Sequence, residues 1–161
     1  MLLYVVLSPG AIAEQSTLPA KAVVEELYRD YAWVILIDEP SLANLIDQPE
    51  KELKKYFTEP LANMILRDRQ CARKTKDLCR LDFDPIYDSQ DPDGAHQLHI
   101  EQMNLGYEVK VTFIRRWSSS SDIAELHFRM KKTPMGWRID DIDYGNHESL
   151  RSILQRDIPA R

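Results

Sequence analysis

The stretch GWRIDDIDYG, Gly136 to Gly145, decides how the second half of the chain is read. It begins as an alternating β-strand, with Trp137 and Ile139 on one face. In a regular strand the next inward positions are Asp141 and Asp143, yet the apolar side chains are Ile142 and Tyr144. The pattern changes face on the pair Asp140-Asp141. A β-bulge there, one extra residue on one strand, brings Trp137, Ile139, Ile142 and Tyr144 against a single core and leaves the aspartates at the kink. Bulges also sit beside functional sites, so Asp141 and Tyr144 stay among the candidate site residues.

Moving toward the N-terminus, three more strand patterns precede this one. IAELHFRMKK alternates Ala124, Leu126, Phe128 and Met130 against Glu125, His127 and Arg129. GYEVKVTFIRRW sets Tyr107, Val109, Val111 and Phe113 against Glu108, Lys110 and Thr112. HQLHIEQM is a weaker strand, and TPMG is the turn into the last one. After it, NHESLRSILQRD predicts a short helix with Leu150, Ile153 and Leu154 facing in.

The first half reads as helix. Ser16 or Thr17 caps a segment with Pro19 in its first turn and Val23, Val24, Leu27, Tyr28 and Tyr31 at helical spacing. Trp33 to Ile37 continues apolar up to DEPS. PEKELKKYF places Leu53, Tyr56 and Phe57 on one face. TEPLANMILRDRQCARK has Thr58 as cap, Glu59 at the positive end of the dipole and Pro60 in the first turn. Its expected buried stripe is Leu61, Met64 or Ile65, and Cys71 or Ala72. Helices first and an antiparallel sheet after predict an α+β fold, the first and third helices covering one sheet face. Between the halves lies RLDFDPIYDSQDPDGA, rich in aspartate and proline. Leu81, Phe83, Ile86 and Tyr87 make it too apolar for simple disorder, so it is expected to pack on the body.

The chain has 161 residues, room for one domain with a substantial core. Its net charge of −5 argues against nucleic acid, which calls for a basic surface. No apolar run approaches the length of a membrane span. Residues 1–13, MLLYVVLSPGAIA, carry no charge and end in an A-x-A pattern, which reads as a secretory signal peptide ahead of a single domain over 14–161. A basic region before the apolar run is missing, so the natural start is expected upstream. The expected location is the periplasm or the exterior. In such a compartment Cys71 and Cys79 are expected to be bonded, two free buried thiols being the alternative. On one continuous helix they lie about 12 Å apart, too far to bridge. The bond therefore requires the helix to end within KTKD and the chain to turn back.

YFTEPLANMI, LDFDPIYDSQD, VKVTF, GWRIDDIDYG and SLRSIL together resemble the nuclear transport factor 2-like superfamily. More narrowly, the chain is similar to a family of bacterial envelope proteins catalogued as a domain of unknown function. The resemblance implies a cone-shaped, cystatin-like fold: a curved antiparallel sheet wrapped by helices, with a pocket between them. It implies no agreed activity, since superfamily members include enzymes and binding modules.

Two functions follow as expectations. The leading one is a non-enzymatic binding module, possessing no cofactor, for an envelope protein or a small apolar ligand; inhibition of a toxin or hydrolase is one form. Its pocket or rim residues are Tyr28, Tyr31, Asp84, Tyr87, Gln90, Asp91, Asp141 and Tyr144. The alternative is a pocket enzyme using Asp and Tyr for acid–base chemistry, isomerase-like or dehydratase-like. The two are separated by geometry: a buried carboxylate facing a tyrosine across an open cavity favours the enzyme. Metal binding has little support. His96 and His99 fall on opposite faces of a regular strand, and the acidic stretches lack EF-hand spacing. Arg138 is expected to pair with nearby acids at the surface. No serine-hydrolase elbow, zinc-protease motif or phosphate loop is present in the sequence.

Overall fold

The computed structural model describes residues 18–31, 44–90, 95–115, 123–145 and 148–157. The order of elements is helices, then sheet, then a short helix, an α+β arrangement. Helix α1 spans Ala20–Tyr31, α2 spans Glu50–Tyr56 and α3 spans Glu59–Thr75. Strands β1 (Ala95–Met103), β2 (Glu108–Arg115), β3 (Ile123–Thr133) and β4 (Gly136–Asp143) form one antiparallel sheet in sequence order. Helix α4, Leu150–Leu154, follows the sheet. The expected signal segment 1–13, the cap at Ser16 or Thr17 and the apolar run Trp33–Ile37 lie outside the described residues.

The bulge falls where the broken alternation requires it. Arg129 stands opposite Asp141 and Met130 opposite Ile139, so Asp140 is the extra residue. Ile139 and Ile142 are both fully buried, facing Met130 and Phe128, and Tyr144 follows them into the core. Val109, Val111 and Phe113 on β2 meet Phe128, Leu126 and Ala124 on β3 across the same inner face. Tyr107 departs from the expected alternation. It sits in the turn before β2, is 61% exposed, and stacks edge-on against Trp137 at 5.2 Å.

Helix α1 buries Val23, Val24, Leu27 and Tyr28 against this face and touches β1, β2 and β4. The third helix covers less of the sheet than expected: among the described residues the main strand contact of α3 is β4, and it packs otherwise on α2, α4 and the Leu45–Asp47 turn. The junction of α2 and α3 runs beside β4, where Phe57 bridges Ile139 and the Thr58 amide donates to the Ile139 carbonyl at 2.8 Å. Thr58 holds the N-cap position of α3, but its hydroxyl donates to Asp140 Oδ1 at 2.8 Å instead of capping the helix.

The buried stripe of α3 is Leu61, Ala62, Ile65 and Asp68; Cys71 and Ala72 are only half-buried. Helix α3 ends at Thr75, and Lys76 turns the chain in the left-handed region at φ 56°. That reversal brings the Cα atoms of Cys71 and Cys79 to 6.1 Å, and the two sulfurs are bonded. No helix among the described residues is long and apolar enough to cross a membrane.

Strand β1 also carries an irregularity. Gln97 adopts φ 55°, and the register moves from His96 opposite Ile114 to His99 opposite Thr112. The extra residue puts His96 and His99 on one face, correcting the opposite-face expectation for a regular strand. Among the described residues no group of three or more His, Cys, Asp or Glu is placed to hold a metal ion.

Candidate functional site

The segment from Arg80 to Gln90 leaves the disulfide and folds into a compact loop, held from several sides. Asp68, 4% exposed on the core side of α3, receives it first. Its carboxylate accepts the Arg80 amide at 3.0 Å and the Leu81 amide at 3.1 Å, and pairs with the Arg80 guanidinium. A charge on a buried stripe costs heavily unless bonded, and this one is fully bonded. Within the loop, the Asp84 amide donates to the Ser89 carbonyl and the Asp88 amide to the Asp84 carbonyl, with Asp88 itself left-handed at φ 49°. The Asp84 carboxylate accepts the Ile86 amide at 2.9 Å, an Asx turn.

Two tyrosines reach the loop from beneath. Tyr28 on α1 donates its hydroxyl to the Ile86 carbonyl at 2.6 Å, and Tyr144, just past β4, donates to the Pro85 carbonyl at 3.2 Å. Their rings belong to a set of edge-to-face contacts: Tyr28 with Tyr87 and Phe128, Tyr87 with Phe113, and Tyr144 with Phe83. Each phenol is buried, and burial holds all three above the usual tyrosine range. From β2, the Arg115 guanidinium donates to the Asp88 carbonyl at 3.3 Å and lies 3.6 Å from the Asp88 carboxylate.

Tyr28, Asp84, Tyr87 and Tyr144 are thus gathered in one place, with Gln90 at its outer margin, where its amide donates to Asp82 Oδ2 at 2.9 Å. Asp91 lies outside the described residues. Tyr31 stands elsewhere: half-buried at the end of α1, it meets Tyr56 at 5.8 Å. Asp141 is also apart. It is 6% exposed, and its Oδ1 accepts the amides of Ile142 and of Arg151 in the first turn of α4. Beside it Asp140 binds Arg151 through both carboxylate and carbonyl. The aspartate pair therefore joins the bulge to α4.

Outside the loop lies a groove of about 280 Å³, between Asp82–Gln90 and the C-terminal segment. Its acids are Asp82, Asp88 and Glu148, and its bases Arg80 and Arg156. Arg156 pairs with Glu148, and the Arg80 Nε donates to the Arg156 carbonyl at 2.6 Å. Burial raises the Asp88 carboxyl, Arg115 opposes that, and Glu148 adds to it. Burial also pushes Asp84 up to about 6, against the pull of the Ile86 and Tyr87 amides.

A second polar cluster was not foreseen. On the outer sheet face His127 lies between Glu108 (Nδ1, 2.5 Å) and Glu125 (Nε2, 2.9 Å), next to the Arg129–Asp143 pair. Burial lowers the imidazole, but the two glutamates outweigh it and raise its pKa. Glu125 is two residues away on the same strand and was readable from sequence; Glu108 comes from the neighbouring strand and depends on register.

No family model matches the chain, and no curated protein matches it. Among solved structures the chain is similar to a protein of unknown function from Bacteroides thetaiotaomicron VPI-5482. The two share 18% identity and a TM-score of 0.47, over 77% of this chain and 88% of that one.

Proposed function

We propose that this chain is an exported binding module of the cone-shaped, nuclear transport factor 2-like kind, which engages a protein partner through the Arg80–Gln90 loop and its groove. The observation that carries this is the use made of the two tyrosine hydroxyls. Tyr28 and Tyr144 come from distant elements, and both are spent on carbonyls of the loop itself. A loop fixed in advance loses little conformational freedom on binding, which favours affinity. Of the three acids in its outer groove, Asp88 and Glu148 are paired with Arg115 and Arg156, while Asp82 accepts the Gln90 amide and makes no ion pair among the described residues. The partner therefore fits as a surface that brings a basic side chain to Asp82. Helices packed on one face of a bulged four-stranded sheet support the fold assignment. The bonded cysteines support an oxidising compartment.

Acid–base catalysis has one observation in its favour, the raised carboxyl of Asp84 among tyrosines. Against it, the carboxylate is occupied by an amide, and the Tyr28 and Tyr144 hydroxyls donate to carbonyls. The binding reading is tested by affinity capture from the envelope fraction of the host, comparing the native protein with Gln90→Arg. One stoichiometric partner, lost on substitution while the Tm is unchanged, is the expected result. A partner retained equally by both proteins, or no partner at all, contradicts the reading.

A further inference from the structure

A separate groove of about 420 Å³ lies at the other end of β4, between the β3–β4 turn and the junction of α2 and α3. Its volume falls in the range of small-molecule sites. One wall is apolar, built from Phe57, Pro60, Pro134 and Met135. Met135 is 79% exposed at the tip of the turn, so its flexible thioether is free to pack on a ligand. The other side carries the cations Lys131 and Arg138. The remaining charges, Lys54 and Glu59, neutralise each other at 2.8 Å.

Arg138 is the decisive residue. The sequence suggests a pairing with nearby acids, but Asp140 is taken by Arg151 and Asp141 by backbone amides. The guanidinium is half-buried and instead donates to two carbonyls, through Nε to Lys54 at 3.0 Å and through Nη1 to Trp137 at 2.7 Å. These two bonds fix the plane of the guanidinium and leave Nη2 with no acceptor among the described residues. Lys131 likewise makes no ion pair among the described residues. Glu26 acts on this guanidinium electrostatically but is itself bound by Lys55 at 2.9 Å, so the half-buried guanidinium, held by two carbonyls, keeps Nη2 to donate to a ligand carboxylate.

We propose that this groove binds a small amphiphilic carboxylate, of the fatty-acid class, its head on Arg138 and Lys131 and its alkyl chain along Phe57, Pro60, Pro134 and Met135. The head supplies the acceptor that the guanidinium lacks. The alkyl chain covers the exposed Met135 and the prolines beside it and is itself removed from water. A neutral alcohol lacks the first interaction and a short anion lacks the second. The inference does not rest on the role assigned to the Arg80–Gln90 loop, and either can fail alone.

The test is calorimetric titration of the full chain with octanoate, with 1-octanol and acetate as comparison ligands. Octanoate is expected to bind at one site with Kd below about 1 mM, at least ten-fold tighter than either comparison ligand. Met135→Asp and Lys131→Glu lie on the surface; each is expected to weaken octanoate at least five-fold with the Tm unchanged. The Met135 methyl resonance should shift on binding. Equal binding of octanoate and octanol, binding of acetate as tight as octanoate, or unchanged affinity in both variants overturns the proposal. So does the absence of binding.

Discussion

Asp84 has the features of a catalytic acid, and its surroundings explain them without catalysis. The carboxylate closes an Asx turn on the Ile86 amide while the aromatic rings around it exclude water. Burial moves it from 3.8 to about 6. Between those values the unfolded chain is ionised and the folded chain is protonated, so stability falls as pH rises and the loss is complete above the folded value. Asp84→Asn keeps the acceptor and removes the charge. It should be more stable than the native protein by about 1–2 kcal/mol near pH 8, allowing for partial solvent screening, with the advantage gone below about pH 3. Urea unfolding across that range measures it; a variant less stable at every pH contradicts the assignment. Asp141 is used differently, as an acceptor for two backbone amides. Asp141→Ala strands the amides of Ile142 and Arg151 and should cost about 2 kcal/mol, with Asp141→Asn recovering part. A neutral Asp141→Ala would show that the bulge and α4 do not depend on it.

At the level of elements, what was legible depended on periodicity. The last three strands and most of their inward residues could be read because apolar side chains alternate, and the bulge in β4 could be read because alternation broke at one point. The bulge in β1 could not, since His96, Gln97, Leu98 and His99 are all exposed and carry no apolar pattern to break. Tyr107 misled for the reverse reason: it continues the alternation in sequence but lies in the turn, where its ring covers Trp137. Asp68 was missed because the eye follows apolar residues along a helix, yet its place three residues after Ile65 is on the buried stripe. The reversal after α3 was legible from the cysteines, which cannot meet across eight residues of continuous helix. Closing that short loop should contribute about 2–3 kcal/mol by the chain-entropy estimate. Replacing both cysteines with alanine should lower the unfolding free energy by that amount, while a loss under about 0.5 kcal/mol would mean that Asp68 and the left-handed Lys76 suffice to hold the turn.

For the whole molecule, the candidate residues divide by what they touch. Tyr28, Asp84, Tyr87 and Tyr144 converge because the loop is packed onto α1 and the sheet from above, a long-range arrangement that local pattern does not encode. Tyr31 is only three residues from Tyr28, but its neighbours are Tyr56 and the end of α1. A preformed binding surface requires the loop to be ordered before any partner arrives. Amide hydrogen exchange at Asp84, Ile86, Tyr87 and Asp88 in the free protein tests this most directly, because each amide donates within the loop. The prediction is protection well above that of an open loop, reduced at least ten-fold in Tyr28→Phe by loss of the hydroxyl bond to Ile86. Exchange at the unprotected rate in the native protein, unchanged by Tyr28→Phe, would contradict a preformed binding surface.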